Sequence, residues 1–139
     1  MVTFVRSVIA EGVDASEIAL FVRTRDELPR ARAAAAMAGV EATELTGRNE
    51  GDAGRVAIGT MHLAKGLEFR AVAVMACDEG VLPSAARLAE VCDEAELDDV
   101  YATERQLFYV AATRALDWLL VTGVVPASEF LEDLLGAEM

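Results

Sequence analysis

The chain has 139 residues, 54% of them apolar, which suits one domain with a sizeable buried core. Twenty-four acidic residues against twelve basic ones give a net charge of −12, which excludes nucleic-acid binding driven by overall electrostatic attraction. No apolar run reaches the ~18 residues of a membrane span, and the first residues lack the basic and apolar regions of a secretory signal, so the expectation is a soluble, cytoplasmic protein.

Residues 2–10 carry apolar side chains at helical spacing and read as a helix closing at Gly12. Asp14 and Ser16 mark a turn. Ile18 to Val22 is a short apolar run with β-branched and aromatic content, a buried strand. Asp26 or Thr24 can cap the next helix, an alanine-rich one from about Glu27 to Ala38 that stops at Gly39. Val40 to Leu45 suggests a second short strand. Residues 46–54, with three glycines and little apolar content, are the clearest loop. Val56 to Thr60 reads as a strand, followed by a polar turn at Lys65-Gly66. Ala71 to Ala76 is a continuous apolar run and the best buried strand in the chain. Residues 78–103 hold Pro83 and an acidic stretch. Glu104 to Ala115 reads as a helix, with Leu107, Val110 and Ala111 as its core stripe. Trp118 to Thr122 is the last strand, and Ser128 can cap a helix over Glu129–Leu135.

Strands alternate with helices, and the strands are continuously apolar. That pattern implies an α/β fold, a mostly parallel sheet with helices on both faces. Such sheets bind ligands at the carboxyl ends of their strands. Cys77 and Cys92 are the only cysteines; unclustered, they form no zinc site and read as free thiols rather than a disulfide. No metal ligand set is expected.

Two segments carry polar groups that a buried sheet does not need. The first is Thr60-Met61-His62-Leu63-Ala64-Lys65-Gly66-Leu67-Glu68-Phe69, which holds the only histidine and the only lysine. Thr60 and His62 can donate to phosphate oxygens, as can backbone N–H groups near Gly66, and Glu68 can accept from a sugar hydroxyl. A plain strand–turn–strand corner with surface His and Lys explains the same composition. The second is Thr103 to Ala115, with Arg114 near the helix end. A cation there complements the helix dipole, worth ~0.3–1 kcal/mol. A guanidinium is also the group for clamping a transferring phosphoryl, and spacing does not choose between the two.

Thr60 to Phe69 resembles motif V of the UvrD/Rep/PcrA-type superfamily 1 DNA helicases, T-x-H-x-x-K-G-L-E-F. Glu104 to Ala115 is similar to their motif VI, E-x-x-L-x-Y-V-x-x-T-R-A. Glu79 to Pro83 resembles their E-G-x-x-P stretch, and Ile18 to Thr24 their I-A-V-L-x-R-T strand, all in the family's order. The resemblance covers about residues 4–123 and implies the second, C-terminal RecA-like domain of such a helicase, a P-loop NTPase fold lacking its own P-loop. In that family two RecA-like domains grip ATP between them and single-stranded DNA crosses both. The resemblance implies that Arg114 is an arginine finger at the γ-phosphate and that Glu68 bonds the ribose. Gly66 would let the backbone approach the nucleotide, and Thr60 and His62 would touch the DNA backbone. By the same resemblance Lys65 would take a supporting role, Arg105 and Tyr109 would hold the site together, and Arg23 would be structural.

No G-x-x-x-x-G-K-[ST] occurs, and no strand ends in paired acids for magnesium. ATP with Mg2+ would therefore be held mainly by an N-terminal RecA-like helicase domain as partner. The family's motif IV arginine has no counterpart, and about fifteen residues separate Leu45 from Thr60, where many relatives carry a large insertion. The chain is expected to be inactive on ATP alone and to bind DNA weakly. The other reading is a degenerate, non-catalytic module that kept the fold and binds a protein partner through residues 78–104.

Overall fold

The computed structural model describes residues 1–46 and 52–132. Most of the loop expected over 46–54, and the end of the helix expected over Glu129–Leu135, lie outside these residues. The α-helices and strands follow one another as α1 (Val2–Ala10), β1 (Ile18–Val22), α2 (Leu28–Met37), β2 (Ala42–Glu44), β3 (Val56–Thr60), β4 (Phe69–Val74), α3 (Ala85–Ala89), α4 (Glu94–Ala112) and β5 (Ala115–Val121). The five strands form one sheet in the order β2-β3-β1-β4-β5, every pair parallel.

Strand side chains alternate between the two faces, and both faces are covered. Ile18, Leu20 and Val22 join Ile58 and Ala73 against the helices α1 and α2. Ala19 and Phe21 join Ala57, Phe69, Val72 and Val74 against α4, whose Phe108 and Ala111 fill that side. This is why β1 is buried at every position and reads as an unbroken apolar run. α2 lies close to the sheet because its inward residues are small: Ala31, Ala34 and Ala35 are buried. The doubly covered parallel sheet agrees with the fold class inferred from the sequence. Among the described residues, no helix is long and apolar enough to cross a membrane.

Helix α4 departs from expectation in two ways. It begins at Glu94, ten residues before the expected start. Asp93 Oδ1 accepts from Glu96 N–H at 2.9 Å, and a Glu96 carboxylate oxygen accepts from Cys92 N–H at 2.8 Å. This is a reciprocal N-terminal cap, and the acidic first turn also suits the positive end of the helix dipole. Its core stripe is Glu104, Phe108, Ala111 and Ala112, not Leu107, Val110 and Ala111. The buried Glu104 sets a rotational phase that a search for apolar residues alone does not find. The helix also ends at Ala112, so Arg114 lies in the turn beyond it.

Both cysteines are free. Burial, with the negative charge of Asp78, pushes the Cys77 thiol up to about 12, which makes it inert at neutral pH. The backbone packs tightly where the segment after β5 folds over β4's end. Cys77 N–H donates to Thr122 O at 2.9 Å, and Ser128 N–H to Cys77 O at 2.8 Å. A Cβ on Gly123 would lie 2.3 Å from the Cys77 carbonyl oxygen. Because that neighbour is hydrogen-bonded backbone, Gly123→Ala is expected to cost about 1–3 kcal/mol. A urea midpoint equal to that of the unsubstituted chain would contradict this.

Candidate functional site

Thr60 is the last residue of β3, so it stands at the carboxyl edge of the sheet. It is half-buried and makes no side-chain capping bond to the 3-10 turn Met61–Leu63 that follows. It lines a cleft of about 390 Å3 with Gly59, Leu63, Thr46 and Arg25. The Arg25 side chain is 84% exposed, held only loosely by Glu44 at 3.8 Å. From Thr60 the chain runs along the sheet face, against α4, down to the amino end of β4. His62 is exposed on the way. Its ring still lies close enough to the protein to be partly desolvated. That, with the positive charge of Arg23 nearby, lowers its pKa below the usual histidine value, while Glu104 acts in the opposite sense. The imidazole is therefore neutral at pH 7, with one ring N–H to donate. His62 and Lys65 flank a smaller cavity of about 180 Å3 closed by Met61, Leu107 and Val110.

The turn at Lys65-Gly66 is left-handed, with φ +82° at Gly66. A Cβ there would meet nothing within 4 Å, so the dihedral, not crowding within the chain, calls for glycine. Glu68 follows, exposed, one residue before β4. Across the strand pair, Phe69 is the register partner of Ala115, and Phe69 N–H donates to the Arg114 carbonyl at 3.0 Å. Glu68 and Arg114 are thus brought side by side at the entry to β4 and β5. This corrects one expectation. These two residues stand at the amino ends of their strands, whereas Thr60 stands at the carboxyl edge. The segment 61–68 and α4 both span the distance between the two edges.

Arg114 partly realises its ordinary role at a helix end, since its Nε–H donates to Val110 O at 3.0 Å. Its Nη2 lies 3.4 Å from the Thr113 hydroxyl. Among the described residues no carboxylate lies within 4.0 Å of Arg114 or Lys65, and Glu68 has no cationic partner. In a chain with twice as many acids as bases, Arg23, Arg25, Arg30, Arg32, Arg55, Arg70 and Arg87 each lie within 4.0 Å of a carboxylate. Arg114 is not among them, and its guanidinium instead donates to the Val110 carbonyl. Among the described residues no group of three or more His, Cys, Asp or Glu side chains could hold a metal.

The reading of the sequence missed the most buried polar cluster. Glu104 is fully buried and accepts four hydrogen bonds: from Arg23 Nε at 2.8 Å, Arg23 Nη2 at 2.5 Å, Ser84 N–H at 2.7 Å and Arg87 Nη1 at 3.0 Å. Arg23, expected to be structural, is 4% exposed and forms the core of this cluster. The available signal was Glu104 itself, one turn before Phe108 on the apolar stripe. Arg105 lies over the Phe130 ring at 4.8 Å, and Tyr109 is 39% exposed on the outer side of α4.

The profile of the family described as the UvrD-like helicase C-terminal domain matches residues 15–125. The chain is 46% identical over 63 residues to the ATP-dependent DNA helicase PcrA of Bacillus subtilis, covering 45% of this chain and 8% of that protein. It is 36% identical over 89 residues to the ATP-dependent DNA helicase UvrD1 of Mycobacterium leprae, covering 64% of this chain and 10% of that one. The chain spans about a tenth of the length of the curated relatives it matches. A solved structure from Lactobacillus plantarum WCFS1, described as the C-terminal domain of a "possible DNA helicase", superposes with a TM-score of 0.62 at 25% identity. That match covers 94% of this chain and 68% of the other.

Proposed function

Because the chain belongs to the UvrD-like helicase C-terminal domain family, we propose that it forms the second half of an ATP-dependent DNA helicase motor. In this reading an N-terminal RecA-like domain holds ATP and Mg2+, and this chain closes over the nucleotide. The observation that carries it is the pairing of Glu68 and Arg114 across the β4–β5 entry, with neither consumed by an ion pair.

Phosphoryl transfer spreads negative charge over the transferring group and needs a cation at that point. Arg114 supplies it. Its Nε is occupied by the Val110 carbonyl, which fixes the plane of the guanidinium and leaves Nη1 without a protein acceptor among the described residues. Glu68, acceptor-only when ionised, receives hydrogen bonds from ribose hydroxyls. The open space above Gly66 admits the nucleotide to the backbone. At the other edge, the Thr60 hydroxyl and the neutral His62 ring donate to phosphate oxygens of single-stranded DNA, contacts that are blind to base sequence. Lys65, exposed beside His62, adds positive charge there.

One half of such a site does not turn over. The isolated chain is expected to show no ATPase and, at −12 net charge, only weak single-stranded DNA binding at ~0.15 M salt. Mixing it with a P-loop first domain of a PcrA-type helicase is expected to restore DNA-stimulated ATP hydrolysis. ATPase by the chain alone would overturn this division of labour. A mixture that associates but never hydrolyses would favour a non-catalytic interaction module instead.

A further inference from the structure

We propose that Glu104 is a positioning residue for Arg114, fixing the setting of α4 so that the guanidinium is delivered to the nucleotide. The inference rests on the reading of Arg114 given above. α4 starts at the carboxyl edge of the sheet and ends at the amino edge. Glu104 is bonded to Arg23, the residue directly after β1, and so anchors the helix at the carboxyl edge. Ten residues on, Arg114 emerges beside the first residue of β4. The helical part from Glu104 to Ala112 rises ~12 Å at 1.5 Å per residue, and the turn after it carries Arg114. No glycine or proline lies between Glu104 and Arg114, and Phe108, Ala111 and Ala112 are buried along one side of the helix.

The chemistry of the anchor is the second part of the case. A leucine at this position would complete the apolar stripe without desolvating a charge. Buried ion pairs rarely outperform such packing as a source of stability, and their best-attested use is to fix register. Glu104 fits that use. Its four hydrogen bonds come from three residues at two places in the fold: Arg23 at the end of β1, and Ser84 N–H and Arg87 in the first turn of α3. A bidentate arginine bond fixes direction as well as distance. The helix can neither slide nor rotate without breaking several of these bonds together. His62 lies within the field of the same three charges, so the anchor also faces the segment that leads to Glu68.

The test uses the two-domain assembly and two variants. Glu104→Gln keeps the shape and removes the charge. The paired replacement Arg23→Met with Glu104→Leu removes the anchor but refills its volume, so the domain folds even where the single variant does not. Each is expected to lower kcat on the order of 100-fold, the scale of an ångström-sized misplacement, with KM for ATP little changed. In the isolated chain, the Arg114 Nε–H resonance, well separated because of its bond to Val110 O, is expected to shift in both variants. A folded variant that keeps the parent kcat and an unmoved Arg114 resonance overturns the proposal. Arg114→Ala distinguishes the two levels: if it leaves hydrolysis intact, the reading of Arg114 itself has failed. If only the anchor variants are silent, positioning alone has failed.

Discussion

Arg114→Ala is expected to reduce ATP hydrolysis by the assembled two-domain motor by about 10³–10⁵-fold, the range seen when a phosphoryl-stabilising arginine is supplied or withheld. The loss should fall on kcat, because the transition state carries the charge that the guanidinium stabilises and bound ATP already has its phosphates held elsewhere. Arg114→Lys should recover only part of the rate: it keeps a point charge but loses the planar fork and the bond that orients it through Val110. Stability serves as the control. Arg114 is half-buried beyond the end of α4, and its removal deletes about one hydrogen bond of ~0.5–1.5 kcal/mol. A large fall in kcat with a nearly unchanged urea midpoint supports the assignment. Unchanged turnover in a folded Arg114→Ala assembly refutes it. Glu68→Ala has a different signature, a raised KM for ATP with a smaller effect on kcat, because a ribose contact is made equally in the ground and transition states.

Sequence reading located the three central strands well because they are buried on both faces and bounded by turn residues, whereas β5, partly exposed, begins at Ala115, three residues before the expected Trp118. β1 and β3 were found at their observed limits, and β4 within two residues. The short strand β2 is narrower than expected, three residues with only partial burial. What failed were inferences that treated charge as a sign of surface or loop. The acidic stretch before Glu104 is assigned no helix from the sequence, yet an aspartate–x–x–glutamate start and a well-placed negative first turn make it the first half of α4. The phase of α4 was misread for the same reason. Glu104 scores as polar on any hydropathy scale; its spacing from Phe108 hints at an inward position, but the donors that make it tolerable there come from residues distant in sequence. The division of the site between two sheet edges was equally invisible. A ten-residue motif shows which side chains gather, but not that its first residue ends one strand and its last begins another. Thr60 stands at a carboxyl end, where parallel sheets commonly take ligands, whereas Glu68 and Arg114 stand where crossovers enter the sheet.

The second large effect is on stability. Arg23→Met is expected to destabilise the domain by about 3–5 kcal/mol, because Glu104 then remains buried with its principal partner gone. Arg87, whose side chain is 39% exposed, and Ser84 N–H remain as donors and set the lower part of that range. The combined Arg23→Met and Glu104→Leu replacement should lie much closer to the parent, short mainly of the bond to Ser84 N–H at ~1–3 kcal/mol. A pair that costs more singly than jointly is strongly coupled, and a double-mutant cycle measures that coupling directly. The effect should also depend on pH with a definite sign. Burial pushes the Glu104 carboxyl upward, but the bonds from Arg23, Ser84 N–H and Arg87 outweigh it and hold the group below its ordinary 4.5. The unfolded carboxyl thus binds protons more readily than the folded one. Its stabilisation is complete above 4.5 and drains away as pH falls through the folded value. Without Arg23 the largest of the lowering contributions is gone, so the folded carboxyl is expected to lie higher than in the parent and its protonation to cost the fold less. The gap between parent and Arg23→Met should be widest near neutral pH and narrow on acidification. Urea midpoints that stay the same distance apart across that range would mean that Glu104 is not ionised in the native protein, and the anchor would lose its charge.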